Sequence, residues 1–114
     1  MKVYKGINTP VKSSSWGEIA KRFEGYRPSM HRFVKWVEQS EFAHGLFAVT
    51  SLDTLILGQS PEFDMWRNVI RIDERAGMFT IQFYDNGLNS KREIAEDKLI
   101  ETFRDLLASL KWFL

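Results

Sequence analysis

The sequence predicts a single α+β domain. It would hold an antiparallel sheet of about four strands with helices packed on one face, two short N-terminal helices and a long C-terminal helix. Three observations predict this class. Apolar residues recur at helical spacing near both ends of the chain. They alternate with polar residues in the middle. The length of 114 residues suits one domain, spanning residues 1–114.

The first 40 residues contain two helix signals. Ser15 and Glu18 stand at the spacing of a capping box, in which each side chain bonds the other residue's backbone N–H. Gly25 is suited to end this short helix. A second helix is expected to start with Ser29 as its N-cap and to run to about Gln39.

The middle of the chain contains the strand signals. Four strands are expected at residues 46–50, 54–57, 69–73 and 78–84. The last two alternate apolar and polar residues, which indicates a sheet with one buried and one partly wet face. Between the second and third strands, Ser60 followed by Pro61 predicts a single helical turn through Trp66.

The C-terminal segment is predicted to be one long helix. Ser90 and Glu93 repeat the capping-box spacing, and the helix would extend from there to about Phe113. On its apolar side, Phe103 and Leu106 are expected to be almost fully buried.

The other side of this helix is the leading candidate for a partner-binding surface. Four acidic residues recur at intervals of four, and we call this set the acidic ridge: Glu93, Asp97, Glu101 and Asp105. Like charges at this spacing cost a helix about 0.2–0.5 kcal/mol per pair, so a role beyond stability is favoured. Trp112 is expected to project onto the same side, where an indole would suit an interface.

A non-enzymatic protein-binding domain with a basic partner is therefore the first functional hypothesis. Trp66 and Arg67 form a second candidate contact, since both residue types are frequent in interfaces. In size and layout, though in no specific motif, the chain resembles small bacterial proteins of the immunity or antitoxin kind. That resemblance implies an inhibitor, and it rests on fold-level analogy.

Two alternative functions remain open. Residues 1–40 hold eight Lys and Arg against three acids. Five of these cations could bind nucleic acid or another polyanion from the two N-terminal helices: Lys21, Arg22, Arg27, Arg32 and Lys35. The other alternative is a small enzyme with an acid–base site at His44, which is close in sequence to Glu41 and Asp53.

Several function classes are disfavoured by what the sequence lacks. It has no cysteine, and none of its glycines or serines forms a phosphate-loop or nucleophile-elbow motif. We therefore assign no catalytic residue and expect no metal and no cofactor. No signal segment or membrane-length apolar run is seen, so a cytoplasmic protein without membrane contact is expected. The sequence leaves open whether the protein forms a homodimer.

Overall fold

A computed structural model of the protein describes residues 10–113. This part of the chain forms three α-helices and seven strands. The helices are α1 (Trp16–Phe23), α2 (Pro28–Gln39) and α3 (Leu99–Leu110). The strands are β1 (Pro10–Lys12), β2 (Phe47–Ser51), β3 (Thr54–Gly58), β4 (Glu62–Asp64), β5 (Val69–Arg75), β6 (Met78–Asp85) and β7 (Leu88–Ala95). Short 3-10 helices at Glu41–His44 and Glu96–Lys98 precede β2 and α3. The predicted α+β class is confirmed.

The main sheet has five antiparallel strands in the order β2-β3-β5-β6-β7. Two-residue loops join β5 to β6 and β6 to β7, and all four loop residues have positive φ. Ala76-Gly77 and Asn86-Gly87 therefore form the tight turns that match the twist of a hairpin. A second, two-stranded sheet pairs β1 with β4.

The capping box predicted for α1 is present. The Glu18 N–H donates to Ser15 Oγ at 3.2 Å, and the Ser15 N–H donates to Glu18 Oε1 at 3.2 Å. The Ser15 N–H and hydroxyl both donate to the Glu18 carboxylate, and these two bonds lower its pKa. The predicted cap of α2 is wrong, because Pro28 occupies the first turn and Arg27 precedes it without a side-chain cap. The Ser29 hydroxyl instead accepts a hydrogen bond from Arg32.

Removing the Ser15 cap should destabilise the domain measurably. Ser15→Ala is expected to lower the free energy of unfolding by about 1 kcal/mol, the usual cost of an N-cap. Ser90→Ala is the matched control, since Ser90 is an exposed strand residue and its loss should stay within about 0.5 kcal/mol. Urea unfolding of both variants measures the difference, and equal losses would contradict the assignment of Ser15 as the cap.

The main core lies between the helices and one face of the five-stranded sheet. Its helix residues include Ile19, Phe23, Met30, Phe33, Val34, Val37, Leu99, Phe103 and Leu107. Its strand residues include Leu55, Leu57, Ile70, Ile72, Phe79 and Ile81. Phe103 is 0% exposed, as predicted. Leu106 is only half-buried, because the face of α3 that meets the sheet is narrower than the predicted stripe.

The opposite face of the sheet carries a second, smaller core at one end. There β1 and β4 cover Val49, Ile56 and Val69, and Phe63 of β4 packs among them. The helical turn predicted for residues 60–66 is therefore wrong. Pairing with β1, about 50 residues earlier in the chain, makes Glu62–Asp64 a strand.

The C-terminal helix is shorter than predicted. The segment from Leu88 to Ala95 is strand β7, and α3 begins only at Leu99. The Asn86-Gly87 turn directs the chain back along β6, and Ile94 then pairs with Phe79 and packs on the main core. The apparent capping box at Ser90 and Glu93 therefore lies within a strand.

Candidate partner-binding surface

Beyond the small core, the sheet face away from the helices is uncovered by any described residue. We call this part the open face, and its side chains belong to Thr54, Asp73, Arg75, Met78, Thr80, Gln82, Lys91 and Glu93. They follow from the alternation of β5, β6 and β7, whose other side chains point toward the helix side of the sheet. This face contains a depression with a volume of about 490 Å³.

The depression is strongly polar and of mixed charge. Its lining includes four carboxylates and three cations: Asp53, Asp73, Glu74, Glu93, Arg27, Arg75 and Lys91. Among residues 10–113, no ion pair is formed by Arg75, Lys91 or Glu93. These three side chains are therefore available to charges brought by a partner.

Arg27 fixes one wall of the depression. Its Nη2 lies 2.9 Å from Asp53 Oδ2, and its Nη1 donates to the Glu74 carbonyl at 2.8 Å. The hydrogen bond with Asp53 is the main reason that the pKa of Arg27 is raised. Because Tyr26 Oη also reaches Asp53, at 3.3 Å, the loop before α2 is tied to the β2–β3 hairpin.

Three exposed apolar side chains lie beside this polar centre. Leu52, in the two-residue loop between β2 and β3, is 98% exposed, and Met78 on the far side is 48% exposed. Tyr26 is 62% exposed beside them. Leu52 also has a φ of 54°, a left-handed conformation that is costly for a residue with a branched side chain. We call Tyr26, Leu52 and Met78 the apolar rim.

The acidic ridge is not one surface. Glu93 lies on β7 and faces the depression, Asp97 lies in the 3-10 helix, and only Glu101 and Asp105 belong to α3. Because α3 covers the other side of the sheet, Glu93 is separated from Glu101 and Asp105 by the sheet itself. The prediction of a continuous acidic line was wrong, although Glu93 belongs to the open face.

Trp112 is also placed differently from the prediction. It is half-buried and packs against the main core instead of projecting outward. Lys111 has a left-handed φ of 59°, and the Trp112 N–H returns to the Leu107 carbonyl at 3.2 Å. This reversal ends α3 and folds the indole back.

Trp66 and Arg67 lie at the other end of the open face, beside the small core. The Arg71 guanidinium lies 4.3 Å from the centre of the Trp66 ring, and Tyr84 meets that ring edge-on at 5.5 Å. Arg67 is exposed, with its Nε 3.9 Å from Asp64 Oδ2. Trp66 is thus half-covered by neighbours, and its role in binding stays a prediction.

The basic residues of the N-terminal helices are mostly engaged within the chain. Arg22 donates to the hydroxyls of Thr50 and Ser14, and Lys35 Nζ lies 2.9 Å from Glu38 Oε1. Arg27 is held by Asp53, as described above.

Arg32 donates hydrogen bonds to both carboxylate oxygens of Glu96, at 2.7 and 2.9 Å. This hydrogen-bonded pair lowers the pKa of Glu96 and raises that of Arg32. Of the five predicted cations, only Lys21 has no polar partner in the described structure. Four of these five cations therefore form hydrogen bonds or ion pairs within the domain.

His44 does not lie beside both of the carboxylates that are close to it in sequence. His44 is exposed at the end of the 3-10 helix before β2, whereas Asp53 lies in the loop after β2. The five residues of β2 separate them by about 16 Å at 3.3 Å per residue. Across residues 10–113, no group of three or more His, Asp or Glu side chains is placed to hold a metal ion. No helix in that part of the chain is long and apolar enough to cross a membrane.

Comparison of the chain with models of protein families, with curated proteins and with solved structures found no match. The candidate surface therefore rests on its own geometry. Leu52 and Met78 were missed from the sequence. One signal was present: Leu52 lies in the short gap between the strands predicted at residues 46–50 and 54–57, and a side chain in so tight a turn has little chance of burial.

Proposed function

We propose that the protein is a non-enzymatic protein-binding domain whose partner contacts the apolar rim and the depression beside it. The observation that carries this proposal is Leu52, an almost fully exposed leucine in a left-handed loop position. Gly or Asn would relieve the backbone cost of about 1–2 kcal/mol there. Leu at this position adds nothing to the core, so its side chain is best explained by contact with a partner.

The surroundings of Leu52 suit a protein interface. Tyr and Met, two of the three residues of the apolar rim, are enriched at such interfaces. Arg75, Lys91 and Glu93 form no ion pair with another residue of the described range 10–113, and their charges of both signs would select a partner with a complementary mixed pattern.

The same charges disfavour a polyanion at this surface. A phosphate backbone approaching the depression would meet four carboxylates as well as three cations. The cations of α1 and α2 are mostly held by internal partners. The inhibitor role inferred from an acidic ridge loses its geometric support, because Glu93 and Glu101 lie on opposite sides of the sheet.

Leu52→Asn tests the proposal, because Asn tolerates the left-handed region and removes the apolar side chain. Its free energy of unfolding should stay equal to that of the parent or rise by about 1 kcal/mol. Its affinity for the partner should fall about tenfold or more, as expected when an interface anchor is removed. The partner is captured from a nuclease-treated lysate of the source cells, and its affinity is measured by calorimetry.

The matched control is Leu88→Asn. Leu88 is 71% exposed in the β6–β7 hairpin, away from the depression, so this variant should bind as the parent does. Equal binding by the Leu52 variant and the parent would contradict the proposal, as would equal losses at both leucines. Loss of all captured material on nuclease treatment would favour the nucleic-acid alternative.

A further inference from the structure

Strand β7 is a free edge of the five-stranded sheet. It is eight residues long, and seven of its residues are exposed. The opposite edge, β2, is partly covered, since the Ser14 N–H donates to the Ala48 carbonyl at 2.9 Å. No described residue pairs with the outer side of β7. A long uncovered strand is a ready template for pairing with another chain.

The register shows which backbone groups of β7 point outward. In a two-residue hairpin the closing pair, here Asp85 and Leu88, is hydrogen-bonded, and hydrogen-bonded and non-bonded pairs then alternate. The even-numbered residues of β7 therefore bond to β6. The N–H and C=O groups of four residues point away from the sheet: Asn89, Lys91, Glu93 and Ala95. The neighbouring hairpin agrees with this assignment. Its closing pair, Arg75 and Met78, turns the even-numbered residues of β6 toward β5 and leaves the odd-numbered ones to bond with the even-numbered residues of β7.

We propose that β7 pairs antiparallel with β7 of a second copy of this chain, so that two five-stranded sheets join into one sheet of ten strands. The pairing is symmetric about Arg92. Lys91 of each copy then lies opposite Glu93 of the other, with both residues in hydrogen-bonding phase. Asn89 lies opposite Ala95 in the same phase, so four pairs of residues can bond across the edge.

Charge selects this register. Outward-pointing groups meet only when odd-numbered residues face odd-numbered residues. A shift by one such step in either direction centres the pairing on Lys91 or on Glu93 and sets identical charges opposite each other. Only the register centred on Arg92 gives two Lys–Glu pairs on the open face. Opposite charges directly across antiparallel strands are stabilising, and like charges are destabilising.

The charges of β7 have a second explanation, since charged side chains also protect edges from pairing. A protective edge needs charges that repel a second copy, as a row of lysines would. Lys91 and Glu93 instead complement each other under a twofold axis that passes through Arg92. The two Arg92 side chains would meet on the helix side, where Asp105 lines the same groove and supplies a compensating carboxylate.

A charge reversal followed by a charge swap tests the register. The parent should show a reversible monomer–dimer equilibrium in sedimentation between about 1 µM and 1 mM. Lys91→Glu sets a carboxylate opposite Glu93 of the other copy in both of the symmetry-related pairs. It should therefore weaken the dimer about tenfold or more. Adding Glu93→Lys restores both pairs with exchanged signs and should restore the dimer. Within one copy these residues face Thr80 and Gln82, which are uncharged, so the fold is kept.

Hydrogen exchange provides a second readout that a different dimer interface would not give. The amides of Lys91 and Glu93 should become protected as the protein concentration rises, while those of Gln59 and Ser60 should not change. A parent that stays monomeric up to about 1 mM would overturn the proposal. A double variant that stays as weak as Lys91→Glu would also overturn it. Leu52→Asn should dimerise like the parent, which would separate the dimer from the Leu52 contact that carries the proposed function.

Discussion

Replacing Phe103 with alanine is expected to lower the free energy of unfolding by about 3–5 kcal/mol, the usual loss for a fully buried aromatic ring. Phe103 of α3 is 0% exposed, and its side chain packs against α2. Its ring meets those of Phe33, Trp36 and Phe42 edge-on, with centres 5.1, 6.2 and 6.2 Å away. The methyl group of alanine would leave this aromatic cluster without its central member.

Urea unfolding followed by far-UV circular dichroism measures this loss. A domain of this size has a total stability of about 5–15 kcal/mol, so the variant should unfold at a much lower denaturant concentration. Leu106→Ala is the matched comparison, because Leu106 lies one turn later on α3 but is only half-buried. It should lose about 1–2 kcal/mol. Equal losses at the two positions would show that α3 is rotated relative to the structure described here.

The elements that could be predicted are those with a local signal. The capping box at Ser15 depends on two residues that stand three positions apart. The strands β5 and β6 alternate because one face of each is buried, so their bounds were predicted within two residues. Such signals need no knowledge of which strand lies beside which.

Strand β7 could not be predicted because it has almost no buried face. Seven of its eight residues are exposed, so neither an alternating nor a helical pattern is imposed on them. The Ser-x-x-Glu spacing at Ser90 and Glu93 is common, and here it marks no helix. The strand is fixed by its hydrogen bonds to β6, which propensity does not reveal. The prediction of a continuous acidic ridge was wrong for the same reason, since it placed Glu93 on a helix.

The candidate surface could not be predicted without knowledge of the strand order. Arg27, Asp53, Glu74 and Glu93 come from four separate parts of the chain and meet only because β7 follows β6, and β5 follows β3, across the sheet. Arg27, Asp53 and Glu93 were all named from the sequence, but they were assigned to three different candidate sites. A sequence without strand order cannot bring them together.

Gly58→Ala is expected to lower the free energy of unfolding by about 1–3 kcal/mol, the usual cost of overpacking a core. Gly58 ends β3 and has no positive φ, so the sequence alone would favour alanine there, by about 0.5–1 kcal/mol. In the structure, alanine at this position is expected to destabilise the domain instead. A Cβ at Gly58 would lie 2.5 Å from Phe63 Cγ and 2.6 Å from Phe63 Cδ2. The flat face of the Phe63 ring therefore rests directly on the glycine.

The double variant Gly58→Ala with Phe63→Ala separates this contact from other effects of the methyl group. Phe63→Ala alone should cost about 3–5 kcal/mol, because its ring fills the small core between β4 and the main sheet. In the double variant the new methyl group enters the space that the ring has left. The combined loss should therefore fall short of the sum of the single losses by about 0.5–3 kcal/mol. Additive losses, or a Gly58→Ala variant more stable than the parent, would mean that Phe63 does not lie on Gly58.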